Sequence, residues 1–182
     1  QGDPEAFAVL ESPDRFPSIV VAETLDGLIE GASQTLPAIL QHLESSPESP
    51  GGRDCIHALG EIAYRQGADR DPRILPTLLT RLKATVSRNT RAACWSVYAL
   101  RECARATPIR EATVDLLQFL RDSGMETDPG GFPLQMAIET LLISEGDAIV
   151  PELEGLAQSV SSDHPLATEI HSALTERTSG NP

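Results

Sequence analysis

The stretch ILPTLLTRL at residues 74–82 decides the fold, because the chain contains four related versions of it. The other versions are TLPAILQHL at 35–43, ATVDLLQFL at 112–120 and AIVPELEGL at 148–156. Proline stands near the start of three of the four. Proline is tolerated in the first turn of an α-helix, where its missing N–H has no partner in any case. Each version therefore predicts the start of a helix.

A second helix is predicted after each of these stretches. The segments in this position are 54–63, 95–104, 135–144 and 166–176, of which DCIHALGEIA at 54–63 matches WSVYALRECA at 95–104. Apolar residues recur at helical spacing, while strand-like alternation is nearly absent. The residues expected to face the core of the best-patterned segment are Ala93, Val97, Leu100 and Ala104. Residues 3–12 and 17–32 predict an incomplete helix pair ahead of the first full one.

A helix pair that recurs at about 38 residues resembles the HEAT repeat. The resemblance implies an all-α fold, a right-handed α-solenoid of about four HEAT-like helix pairs plus a partial N-terminal unit. We expect one domain over residues 1–182, which could also be a piece of a longer solenoid. Its expected units are 3–32 (partial), 33–68, 72–106, 108–146 and 148–178. Because stacked pairs share one apolar core, Leu79 is expected between the helices.

The charge of the chain is strongly negative and unevenly distributed. The formal net charge is −13 at pH 7. Residues 53–121 nevertheless carry twelve Arg or Lys against seven acids, while both flanking segments are acidic. Overall acidity argues against nonspecific nucleic-acid binding, and the basic middle leaves room for one local anionic contact. No apolar run approaches the roughly 20 residues that span a bilayer, so no membrane association is expected.

Three cysteines, Cys55, Cys94 and Cys103, follow no metal-binding spacing. We interpret them as free, reduced thiols that act as small apolar side chains within helices. No secretory signal pattern is present at the start of the sequence. These features predict a cytoplasmic protein.

A catalytic or metal-binding set is not found. The sequence has no Gly-x-Ser-x-Gly nucleophile elbow and no phosphate-binding glycine-rich loop. The pairs His57/Glu61 and His164/His171 have helical spacing, but each supplies only two ligands, and a catalytic zinc usually takes three from the protein. We therefore expect no metal, no cofactor and no enzymatic activity.

One ridge of the second helices is the candidate partner-binding surface. If the apolar positions face the core, a separate ridge at helical spacing faces elsewhere. Its residues are Asp54, His57, Glu61, Arg91, Trp95, Tyr98, Arg101, Glu102 and Arg105, and Gln135 and Glu139 continue it. The HEAT resemblance implies that second helices line a concave face that holds the partner. Trp95 remains open to two interpretations, exposure on this face or packing between repeats.

Three functions are compatible with this surface. The first is a protein–protein interaction module, a scaffold or adaptor, since Trp, Tyr and Arg are enriched at interface hot spots. The second is a nucleic-acid-binding protein similar to the HEAT-like alkylation-repair enzymes, using Trp95 and the arginine-rich middle of the chain, whose strongest basic cluster is Arg81, Lys83, Arg88 and Arg91. The third is a HEAT-like lyase or chaperone that acts on a cofactor-bearing protein. The sequence indicates neither the partner's identity nor the oligomeric state.

Overall fold

The structure is a computed structural model that describes residues 4–45, 49–86, 93–126 and 130–179. These residues form helices and connecting turns, and no strand occurs among them. The helices are α1 (Pro4–Glu11), α2 (Ser18–Glu30), α3 (Ala32–Ser45), α4 (Pro50–Gln66), α5 (Ile74–Val86), α6 (Cys94–Ala106), α7 (Thr113–Ser123), α8 (Gly131–Glu145), α9 (Val150–Gln158) and α10 (Pro165–Thr178). The predicted all-α class is confirmed.

Helices α4, α6, α8 and α10 form one row, the second-helix row, in which each helix packs against the next. The odd-numbered helices α3, α5, α7 and α9 each pack against the helix that follows in sequence. At the N-terminal end, α1 and α2 pack against each other and against α4. The row is therefore the shared element to which the other helices attach.

Local sequence signals set several helix ends. The side chains of Ser49 and His164 cap α4 and α10 by accepting hydrogen bonds from backbone N–H groups at 3.0 and 3.1 Å. A proline follows each cap as the first helical residue. Gly67 and Gly146 come directly after α4 and α8 with φ angles of 62° and 65°. Only a residue without a Cβ adopts this left-handed backbone readily, so both helices stop there.

Five side-chain contacts between neighbouring helix pairs join residues at the spacing found in the sequence. In these five contacts the two partners are 37 or 38 residues apart, whereas Arg70 and Cys103, which are also in contact, are 33 apart. The pairs are Ser49–Glu11, Arg70–Thr107, Tyr98–Glu61, Arg101–Glu139 and His164–Glu126. Contacts at this spacing are expected if each sequence repeat forms one helix pair of a stack.

The core consists mainly of leucine, isoleucine and alanine, and its largest fully buried side chain is Phe119. The four residues predicted to face the core from α6 are at most 1% exposed, which confirms the helical spacing assigned to that segment. Small side chains are concentrated where α4 meets α6. A Cβ added to Gly60 would lie 2.7 Å from the Cα of Ala99 and 3.0 Å from its Cβ. The two helices therefore approach backbone to backbone at this point.

One expectation about the first helices is wrong, and a second, that Leu79 packs between the helices, is confirmed only in part, since Leu79 packs against the core without being fully buried. Pro37 lies inside α3 rather than in its first turn, because α3 begins at Ala32, directly after Gly31 ends α2. Leu79 is only half-buried, whereas Leu78 is fully buried. The inward positions of α5 are Ile74, Leu75, Leu78 and Leu82. Leu79 lies at the edge of that stripe.

We expect Gly60→Ala to destabilise the protein by about 1–2 kcal/mol, although alanine is the better helix former by about 1 kcal/mol. The added methyl group would collide with the backbone of α6 at Ala99. The matched control is Gly155→Ala in α9, where an added Cβ meets nothing within 4 Å. There we expect stabilisation of about 0.5–1 kcal/mol. Urea unfolding measures both changes, and stabilisation by both would disprove the close approach.

Leu78→Asp is expected to lower the free energy of unfolding by about 4 kcal/mol or more, because it places a charge at a fully buried position. Leu79→Asp, one residue further along the same helix, is expected to cost only about 1–2 kcal/mol, since that side chain is half-buried. Circular dichroism during urea titration compares them. Equal losses would mean that Leu79 belongs to the core.

Candidate functional site

Three aromatic side chains meet where α4 passes α6. The imidazole ring of His57 stacks on the indole of Trp95, with centroids 5.8 Å apart. The ring of Tyr98 meets His57 edge-on at 5.0 Å and Trp95 at 6.5 Å. Trp95 is nevertheless 41% exposed. The indole therefore packs against the neighbouring helix pair on one side and presents its remaining surface to solvent.

A hydrogen bond fixes this aromatic cluster to α4. The hydroxyl of Tyr98 donates to Oε1 of Glu61 at 2.7 Å, and Nε2 of His57 lies 3.7 Å from the same oxygen. Burial raises the pKa of Tyr98 strongly, and the adjacent Glu61 carboxylate raises it further. The phenol therefore remains a proton donor at neutral pH. Candidate residues predicted on α4 and on α6 thus lie in direct contact.

Glu102 differs from the expectation for this ridge, because it is only 3% exposed. Its carboxylate lies 3.0 Å from Nη1 of Arg105 and 3.4 Å from Nη1 of Arg101. A buried carboxylate is tolerated when cations pair with it, and removing those cations costs about 3–5 kcal/mol. In the structure Glu102 is therefore buried rather than exposed on this ridge, and its contact with a partner stays a prediction. Its contribution to the face is to hold the two arginines.

The arginines extend the site across three helices of the second-helix row. Arg101 donates to Glu139 of α8 through Nε at 2.6 Å and Nη2 at 3.2 Å, a two-point pairing. Arg105 lies over the ring of Tyr64 on α4, 5.3 Å from its centroid. Such partly exposed pairs contribute little stability, about 0–1 kcal/mol each, but they fix the relative positions of side chains.

One further predicted residue, Asp54, lies at the edge of this network. Asp54 is half-buried on α4, where burial raises its pKa above the ordinary range despite the nearby charges of His57 and Arg53. Arg91 lies outside the described residues, as does Arg88. Lys83, from the same basic segment, pairs with Asp115 at 3.1 Å. The structure thus brings the predicted residues of α4 and α6 together. The described residues of the basic segment form no cluster of cationic side chains.

A groove over α6, α8 and α10 was missed by sequence reasoning. It has a volume of about 750 Å³. Its lining comprises the predicted Arg101, Gln135 and Glu139 together with Leu142, Ile143, Glu169, Ser172, Ala173, Glu176 and Arg177. The sequence signal that pointed to this groove was the step of 38 residues, which relates Gly131 on α8 to Glu169 on α10. The two residues are close in the structure, since a Cβ added to Gly131 would lie 2.7 Å from Oε1 of Glu169.

The described residues offer no metal site and no membrane-spanning helix. They contain no group of three or more His, Cys, Asp or Glu side chains that could hold a metal ion. The ring of His164 instead caps α10 through Nδ1, while its Nε2 lies 2.9 Å from the carbonyl oxygen of Glu126. In the part of the chain that the structure describes, no helix is both long enough and apolar enough to cross a membrane.

Comparison with known proteins adds no family to this description. No protein-family model, no curated protein and no solved structure matches the chain. Its function must therefore be inferred from the side chains of the second-helix row.

Asp54→Asn is expected to raise the free energy of unfolding at pH 7 and to leave it nearly unchanged near pH 3. Burial raises the folded-state pKa of Asp54, so ionisation is costlier in the folded protein and stability is lost as pH rises through that pKa. Asn mimics the protonated side chain at every pH. Urea unfolding across this pH range tests the difference.

Asp71→Asn provides a control of opposite sign. A hydrogen bond from Arg73 lowers the pKa of Asp71, so its contribution is present at pH 7 and disappears in acid. This variant should therefore lose stability at pH 7. An Asp54→Asn effect of the same size at pH 3 and pH 7 would contradict the assigned cause.

Proposed function

We propose that the chain is a HEAT-like, right-handed α-solenoid of about four helix pairs plus a partial N-terminal unit. The repeated packing of α4, α6, α8 and α10 supports this proposal. So do the side-chain contacts that connect residues 37 or 38 positions apart. A stack of this kind exposes an extended face made of equivalent helices, which is suited to binding another protein.

Its function, in this proposal, is that of a protein–protein interaction module whose partner covers the second-helix row. The observation that carries it is the exposed indole of Trp95, held by His57 and Tyr98. A large aromatic side chain that is already fixed before binding loses little conformational entropy on contact. Tryptophan, tyrosine and arginine are also the residues most often found at binding hot spots.

The chemistry of the other described side chains favours binding over catalysis. Cys55 and Cys103 are buried, and burial raises the pKa of each thiol to about 12, far from the thiolate form that a nucleophile requires. Arg101 and Arg105 are engaged by carboxylates of the chain itself. Paired guanidinium groups on an acidic chain favour a protein partner over the phosphate backbone of a nucleic acid.

Trp95→Ala is expected to weaken partner binding at least about 30-fold, the loss typical of a hot-spot residue. The tagged protein and the variant would be used for affinity capture from an extract of the source organism, followed by quantitative mass spectrometry. A partner should be retained by the wild type and depleted with Trp95→Ala. Helical circular dichroism should remain unchanged, because the indole is partly exposed.

Val114→Ala serves as the control, since Val114 is 73% exposed but lies on α7, outside the second-helix row. It should retain the same partner as the wild type. Equal retention by Trp95→Ala would remove the indole from the binding surface. If Trp95→Ala unfolds the protein, the side chain belongs to the core and the proposed face is wrong.

A further inference from the structure

Part of the lining of the groove over α6, α8 and α10 is apolar. Leu142 and Ile143 on α8 and Ala173 on α10 contribute to it, and Ile143 is 37% exposed. Along α8 the groove runs from Gln135 to Ile143, and along α10 from Glu169 to Arg177. Eight residues of helix correspond to roughly 12 Å. The groove thus has the length of about two turns of a bound helix.

The arginines at the groove are already neutralised by the chain. Arg101 pairs with Glu139, and Arg177 pairs with Asp147 through Nη2 at 2.8 Å. These guanidinium groups therefore present little net positive charge to a ligand. An acidic ligand would have to compete with Glu139 and Asp147 for these guanidinium groups, and binding would break the hydrogen bonds of the existing ion pairs.

Two carboxylates at the groove lack such compensation. Among the described residues, no Lys, Arg or His side chain forms an ion pair with Glu169 or Glu176. The hydroxyl of Ser172 donates to Glu176 at 3.2 Å, which leaves its negative charge in place. The surrounding segment 122–182 carries eleven acids and a single arginine. The field at the groove is therefore negative.

We infer that this groove binds an amphipathic segment of a partner protein that carries lysine or arginine beside an apolar stripe. Its apolar side chains would cover Leu142, Ile143 and Ala173, and its cations would face Glu169 and Glu176. The inference rests on the proposed function and specifies the chemistry of the partner. Apolar contact supplies the association, while charge complementarity selects the sequence that binds.

The test uses a fluorescein-labelled peptide of about 15 residues, built from leucine and lysine in an amphipathic helical pattern. Fluorescence anisotropy at low and moderate salt would measure its binding to the full chain. The matched variants are Glu169→Gln/Glu176→Gln, at the groove, and Glu152→Gln/Glu154→Gln, on exposed positions of α9. Both double substitutions change the net charge equally.

We expect saturable binding that falls about 10-fold in the Glu169→Gln/Glu176→Gln variant, with a weaker dependence on salt, and little change in the α9 variant. A peptide with glutamate in place of lysine should not bind. Equal losses in the two variants would mean attraction to overall acidity and would overturn the inference. Failure of the lysine peptide to bind would also overturn it. Partner capture that depends on Trp95 would survive that result, so the two proposals can fail separately.

Discussion

The backbone contact between Gly60 and Ala99 is the constraint on which the rest of the site depends. It sets the distance between α4 and α6 at a value that two ordinary side chains would not permit. At that distance His57 reaches Trp95, and Tyr98 reaches Glu61, in direct contact. Glycine is a poor helix former, so the sequence accepts a local cost in α4 to obtain this approach.

Polar contacts then connect successive helices along the second-helix row. The hydroxyl of Tyr98 links α6 back to α4, and the guanidinium of Arg101 links α6 forward to α8. Between them the buried carboxylate of Glu102 balances two arginines. Directional bonds of this kind add less free energy than the apolar core, but they fix the register between neighbouring helices. The candidate face therefore has defined side-chain positions in the absence of a partner.

Helical periodicity was sufficient to predict the all-α class and the inward residues of α6, because each depends on spacing along one helix. It failed at Glu102, since that residue lies at the boundary between the buried and exposed sides, and its burial depends on two arginines of the same helix. The proline rule misplaced the start of α3, because Gly31 allows that helix to begin one turn before Pro37. The groove beside α10 was not predicted because it forms only where three helices lie side by side.

The position of Trp95 has a spectroscopic consequence. It is the single tryptophan of the chain, so all indole emission comes from the ring that stacks on His57. The intrinsic fluorescence of the unlabelled protein is therefore an optical readout of the packing at the junction of α4 and α6, where Trp95 contacts His57 and Tyr98.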